Sequence, residues 1–263
     1  MSFDWSFFAQ LLFHPPGSFV QGAIRTIYLA VIAQALGVAL GLLLALWRRS
    51  RLLPLRVLAG GYIWLVRGTP LLVQAVIIYD GSAALGLYSF RPLNLWMLSV
   101  PGVVQAGIVT LALNEGAYMA EIMRAAIDSV DRGQTEAAES LGMRRRQAMR
   151  HVVLPQAMRV VIPPLGNEFN NMLKVTSLLS VIGLQELFLA AQDYNSATFR
   201  TFEIFLVTAL YYIAMTTIWS FIQSAIERRL QAKGGTTITN VPLRQRLFGG
   251  GILAPGEQLR GAR

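Results

Sequence analysis

The sequence predicts an all-α integral membrane protein with five transmembrane helices. Three observations carry that prediction. Of 263 residues, 54% are hydrophobic and 14% charged, and the mean hydropathy is +0.48, too apolar for an ordinary soluble domain. The apolar residues gather in stretches long enough to cross a bilayer. The bases sit at the ends of those stretches. Four lie in 48–56, seven in 124–159 and seven in 228–263, so 18 of the 23 Lys and Arg fall on one side of the predicted topology. Positive-inside bias then places the N-terminus outside and the C-terminus in the cytoplasm. The same placement assigns the net charge of +9 to lipid headgroups and not to nucleic acid.

Residues 1–23 are aromatic and polar (Trp5, Phe7, Phe8, Phe13) and lack the basic start of a cleavable signal peptide. They read as an interfacial segment outside the membrane, with the aromatics at headgroup level. Span one, 24–47, carries one charge, Arg25, and ends in Arg48-Arg49-Ser50-Arg51, an inside anchor. Span two, 57–79, contains Arg67-Gly68-Thr69-Pro70. An arginine at membrane depth faces protein or a watery path, or snorkels. Pro70 frees a carbonyl that neighbours must satisfy. After a short outer loop, 80–92, span three runs from about 93 to 123, interrupted at Pro101-Gly102. Its second half holds Asn114, Glu115 and, near the inner surface, Glu121 and Arg124, which are spaced to pair. Glu115 lies deeper and belongs inside the bundle, either as a structural hydrogen-bonding group or against a solute.

Span four starts near Leu165, and Glu168, Asn171 and Lys174 recur there every three residues along one side of a helix. Such a row either binds a polar solute or forms an internal ion pair with amides. Residues 191–202 form the next outer loop, and span five is 205–226, ending in Glu227-Arg228-Arg229. The tail, 230–263, has no apolar period and reads as loosely ordered cytoplasmic chain. Residues 24–229 thus make one transmembrane domain.

Between spans three and four lies the one long charge-rich stretch, a cytoplasmic loop over 131–164. It reads as two short helices divided by Gly142, where a helix stop calls for a positive φ, with Pro155 and Pro163-Pro164 limiting any further helix. Arg144, Arg145 and Arg146 do not share one helical face and fit headgroups or an acidic partner rim.

Several chemistries are excluded. Neither lysine sits in a phosphate-binding Gly-rich loop, since Val175 and Gly234 follow them. There is no cysteine, and His14 and His151 are far apart, so no metal site is expected. No catalytic residues and no cofactor are expected in this chain.

The loop resembles the signature of ABC importer permeases: Glu136-Ala137-Ala138, three residues, Gly142, nine residues, Val152 in place of Ile, one residue, Leu154-Pro155. The run Arg67-Gly68-Thr69-Pro70-Leu71-Leu72-Val73-Gln74 looks like the polar amino acid (histidine/glutamine/arginine-type) branch of that family. So does Lys174-Val175-Thr176-Ser177-Leu178, except that Val175 replaces the usual Asp. The resemblance implies the type I ABC importer permease fold, in which Glu136, Ala137, Ala138, Gly142, Leu154 and Pro155 form the coupling helix that docks on an ATPase. It implies an ATPase dimer that binds ATP and Mg, a second permease (self or paralogue), a periplasmic solute-binding protein, and a home in the bacterial inner membrane. It implies alternating access, with a pathway through Arg67, Thr69, Asn114, Glu115, Glu168, Asn171, Lys174, Thr176 and Ser177 for a polar amino acid or derivative. Two other classes stay open on the residues alone. One is an ion-coupled transporter or channel relaying through Glu115, Glu168 and Lys174; the other is a membrane scaffold without transport.

Overall fold

The computed structural model describes residues 3–95 and 98–232. The order is α1 (Trp5–Phe13), α2 (Gly17–Arg48), α3 (Leu53–Arg67), α4 (Leu71–Val76) and α5 (Ser82–Ala84), then a hairpin of β1 (Leu93–Leu95) and β2 (Leu98–Val100). There follow α6 (Gly102–Asp128), α7 (Arg132–Ser140), α8 (Arg145–Ala148), α9 (Leu154–Val175), α10 (Leu187–Thr198) and α11 (Thr201–Ala232). The bundle is described over residues 3–224; residues 225–232 are the described part of a second unit and are helical. The tail expected over 230–263 lies outside the described residues from 233 onward.

Two helices, Gly17–Arg48 and Thr201–Leu230, are each long and apolar enough to cross a membrane. Two bent pairs have the same property if each is one span. Spans one and five are therefore continuous, whereas spans two and four are not straight. Span two breaks after Arg67, and Leu71–Ala84 leaves at 108° to Leu53–Arg67. Span four is Arg145–Ile182 followed, at 52°, by Leu187–Thr198. Much of the outer loop expected at 191–202 is thus helix. Span three starts later than expected: a hairpin occupies the residues before Pro101, which caps α6. With 27 residues, α6 measures about 40 Å at 1.5 Å per residue. Its buried Glu115 and part-buried Gln105 and Asn114 face protein, which lowers its hydropathy.

The prolines at 163 and 164 do not end the helix; α9 runs through both. Pro155 falls in its first turn, where an amide hydrogen is dispensable. At and beyond the proline pair, α11 ties itself to α9. Gln223 Nε2 donates to Pro163 O at 3.2 Å and Trp219 Nε1 to Gly166 O at 2.7 Å.

The centre of the bundle is the packing of α2 on α6. Small residues permit it: Gly37 on α2 lies against Ala112, and Gly41 against Gly116 and Ala120, on α6, and Ala30 and Ala33 on α2 are fully buried. Without a hydrophobic force between helices in lipid, close backbone approach of this kind supplies the attraction. A Cβ on Gly41 would lie 2.4 Å from Met119 Cβ. Around this pair, Leu29, Leu111, Phe169, Leu173 and Leu179 form the main apolar core. At one end of the bundle Arg124 binds Glu121 at 2.8 Å, as their spacing suggests, and Asp128 at 3.0 Å, while Arg49 reaches Asp128 at 2.7 Å from α2. Large apolar side chains elsewhere point outward, among them Trp64, Leu58, Ile213, Ile218 and Phe221. That is the surface expected of a chain whose solvent is lipid.

The N-terminal segment is anchored. Asp4 caps α1 through the amides of Ser6 and Phe7, and its carboxylate pairs with Arg200, whose guanidinium lies 4.6 Å from the Phe7 ring centre. Hydrogen bonding by Arg200 holds the Asp4 carboxyl well below the usual carboxylate range, and Ser6 and Phe7 add to this.

Two predictions follow from this packing. Gly41→Val should lower the thermal stability of the purified protein, by about 1–3 kcal/mol. Gly61→Ala, in open space on α3, should hold or raise it. Equal effects would contradict the close α2–α6 approach. A lowered Asp carboxyl contributes its full stabilisation above its ordinary pKa and loses it progressively as pH falls from there through the lowered value. Protection against hydrogen exchange over Trp5–Phe13 should therefore be full near pH 7 and weaken progressively below the ordinary carboxylate pKa, and Asp4→Asn should speed exchange at pH 7. Unchanged exchange in that variant would refute the anchor.

Candidate functional site

Three elements converge midway along α6 around a cavity of about 470 Å³. The first is the break between α3 and α4. A helix that stops at membrane depth leaves carbonyls without partners. Here a side chain answers them. Gln74 Nε2 lies 2.7 Å from Val66 O, 3.1 Å from Thr69 O and 2.8 Å from Thr69 Oγ1. Thr69 Oγ1 in turn donates to Leu65 O at 2.9 Å. The other end of the Gln74 amide accepts from Asn114 Nδ2 at 3.0 Å, tying the break to α6. Arg67 and Thr69 are thereby presented to the cavity, with the Arg67 guanidinium 5.3 Å from the centre of the Tyr118 ring.

The second element is the middle of α6. Glu115 is 4% exposed and accepts from Gln34 Nε2 of α2 at 2.9 Å. Room for it comes from Gly37, where a Cβ would sit 2.5 Å from Glu115 Cγ. The third element is the second half of α9. Its cavity face reads Glu168, Asn171, Met172, Val175, Leu178 into the following turn. The helix is held there by Phe169 against Trp219 at 4.2 Å between ring centres.

Of the predicted pathway residues, Arg67, Thr69, Asn114, Glu115, Glu168 and Asn171 line this one cavity. Lys174, Thr176 and Ser177 do not. A three-residue repeat drifts by about 60° per step around a helix, so Lys174 has left the face that Glu168 shares, and it is exposed. Thr176 and Ser177 turn their hydroxyls onto Leu173 O and Lys174 O, at 3.0 and 2.7 Å. Sequence reasoning missed Gln34, Gln74 and Tyr118, and it missed Glu186. That side chain is fully buried, caps α10 through the Leu189 amide at 2.8 Å and accepts from Tyr212 OH at 2.8 Å. A carboxylate directly before an apolar run was the available signal.

The second candidate region is the loop after α6. Asp131 caps α7 by accepting from the Gly133 amide at 2.6 Å. The helix stops at Gly142, φ 86°, in a two-bond closure: Gly142 N donates to Glu139 O at 2.9 Å and Met143 N to Ala138 O at 3.1 Å. Ala138 is buried, as are Ala148 and Val153 beyond the turn. Glu136, Ala137, Gly142, Leu154 and Pro155 stay exposed, and Leu141, at the tip, is 83% exposed. The two short helices are thus present, but the second, α8, passes through a wide turn at Met149–Val153 straight into α9.

The profile of the family described as "Binding-protein-dependent transport system inner membrane component" matches residues 37–232. The probable amino-acid permease protein YxeN of Bacillus subtilis is 37% identical over 227 residues, 86% of this chain and 96% of that protein. The glutamine transport system permease protein GlnP of Escherichia coli K12 is 36% identical over 231 residues, 88% and 99%. A crystal structure of an amino acid ABC transporter with histidines has a chain 40% identical that superposes with TM-score 0.76, over 87% of this chain and 100% of that one. The MetNI methionine transporter, in an inward-facing form, shares the fold with 18% identity and TM-score 0.63, over 81% and 96%.

Replacing Gln74 by Leu should strip three partners from the α3–α4 break at nearly constant volume. The contact to Val66 O is the part-buried one of the three, and a polar atom left unpaired away from water costs about 1–3 kcal/mol. The expected result is a clear drop in melting temperature in detergent, with Gln74→Glu intermediate. A Gln74→Leu variant as stable as the wild type would show that the break does not depend on this amide.

Proposed function

The chain belongs to the binding-protein-dependent transport system inner membrane component family, and from that premise we propose that it passes a polar amino acid or amino-acid derivative across the bacterial inner membrane. It is a membrane-embedded permease component of an ABC transporter, a translocation subunit and not an enzyme. Family membership implies an ATPase and a solute-binding protein as partners. In the proposed assembly the ATPase dimer holds ATP and Mg, and a second permease, self or paralogue, completes the pathway. The N-terminus faces the periplasm, and the α7–α8 loop and the C-terminus face the cytoplasm. The permease names carried by relatives such as GlnP support an amino acid as cargo.

The observation that carries the reading is the α7–α8 corner. Its small buried Ala138, its Gly142 stop and its exposed Glu136, Ala137 and Leu141 make a shallow projection. Such a projection transmits motion by shape. When the ATPase dimer closes, two docked corners are drawn together and the spans beyond them rotate, exposing the central cavity first to one side and then to the other. Arg67, Thr69, Asn114, Glu115, Glu168 and Asn171 offer the passing solute a basic group, two carboxyls, a hydroxyl and two amides. The ion-coupled alternative needs Lys174 in a relay with Glu115 and Glu168, and Lys174 does not line their cavity.

Gly142→Pro tests the coupling role, because proline fixes φ near −65° where the turn needs a positive value. The variant should insert in the membrane at normal levels but lose ATP-driven uptake, by tenfold or more. Normal uptake would remove the docking assignment.

A further inference from the structure

Charge divides at Gly142. The acids of the loop, Asp131, Glu136 and Glu139, all precede it. From Met143 to Asn167 there is no acid, and Arg144, Arg145, Arg146, Arg150 and Arg159 fall there. α7 packs on the chain beyond the turn, where Ala138, Ala148 and Val153 are buried and Glu136, Glu139, Arg146 and Arg150 are exposed. Neither Arg146 nor Arg150 forms an ion pair among the described residues.

Arg146, Arg150, Leu154 and Met158 stand at every fourth position, and all of them are exposed. Helix runs unbroken from α8 through the wide turn at Met149–Val153 into α9, so they follow one another along one side. Of the three adjacent arginines, Arg146 is the one in this line. Along the line the exposed surface changes from basic to apolar between Arg150 and Leu154. A helix entering a bilayer shows that change at headgroup level, where anionic lipid attracts bases. The α2–α3 turn repeats the pattern, with exposed Arg51 beside exposed Leu52 and Leu53. An acidic protein rim would account for the arginines but not for the apolar groups next in line. A partner surface that matches Glu136 and Glu139 of α7 is moreover basic, and it repels arginine.

We propose that Arg146 and Arg150 bind the headgroups of anionic phospholipids in the cytoplasmic leaflet, and that this contact holds the flank of the coupling corner at membrane level while α7 meets the ATPase. The proposal rests on the permease reading above and on its cytoplasmic placement of the loop. From this point α9 continues to Glu168 and Asn171 at the central cavity. Lipid that steadies the start of this helix gives it a fulcrum, so ATP-driven transport depends on anionic lipid.

The test extracts the permease–ATPase complex from a bilayer of phosphatidylglycerol and phosphatidylcholine in equal amounts and reads the lipids it retains by native mass spectrometry. Phosphatidylglycerol should be retained in preference. A base near an anionic surface is worth about fivefold in affinity, so Arg146→Gln combined with Arg150→Gln should cut that preference by roughly twentyfold. Arg146→Lys combined with Arg150→Lys, which keeps both charges, should preserve it. In proteoliposomes supplied with the binding protein, adding phosphatidylglycerol to phosphatidylcholine should raise ATP hydrolysis and ATP-driven uptake of radiolabelled L-glutamine or L-arginine by the wild type, and the double Arg→Gln variant should not respond. Equal retention of both lipids by the wild type, or an unchanged preference in the double Arg→Gln variant, overturns the proposal. So does release of the ATPase from that variant in detergent, which assigns the arginines to an acidic rim on the partner. Absence of ATP hydrolysis and of ATP-driven uptake in either lipid would instead overturn the importer reading, and the lipid preference is read separately from it.

Discussion

A helix that ends at membrane depth must find partners for its last carbonyls in protein or in a polar cavity, because hydrocarbon supplies none. The arrangement of this protein depends on how that demand is met at Gly68–Pro70. The Gln74 amide closes on Val66 and Thr69 from one end and on Asn114 from the other. One side chain thus stabilises the break, sets its relation to α6, and opens the space that Arg67 and Thr69 face. A continuous helix there would need no such group, and it would present neither the bend nor the polar pocket beside it. The cost of an unsatisfied break in lipid is what makes the arrangement specific.

The same economy governs α2 and α6. In lipid, association rests on close fit, and glycines at 37 and 41 bring the helices close enough for Glu115 to be enclosed and not exposed. Packing and polarity are coupled at this point: the missing Cβ at Gly37 is the room in which Glu115 stands. The coupling corner uses glycine differently. There Gly142 supplies a positive φ, so that α7 ends sharply and its tip projects.

What was legible in the sequence divides along local and non-local lines. The Glu136–Pro155 spacing, the stop at Gly142 and the continuous apolar spans 24–47 and 205–226 are written in consecutive residues, and each reappears as an element. The bends were not legible, because the groups that permit them come from elsewhere in the chain. Pro163 and Pro164 suggest a helix end, yet α9 runs through both, and its side contacts to Gln223 and Trp219 come from α11. The row of Glu168, Asn171 and Lys174 looked like one face, but drift around the helix gives the last place to Val175. The Gly37–Gly41 pair was visible as small residues four apart in an apolar span and went unused. The link from Gln34 to Glu115 crosses 81 positions, and no local pattern announces it.

The central claim is that the α7–α8 corner seats on an ATPase. The chain has no cysteine, so Leu141→Cys supplies a single attachment point for a short photocrosslinker at the exposed tip. Irradiation of native membranes, followed by mass spectrometry of the adduct, reads its neighbour directly. The account predicts a crosslink to an ABC ATPase subunit, weakened when the Gly142→Pro change is added. Adducts only to lipid, under conditions in which other ABC complexes crosslink normally, would contradict it.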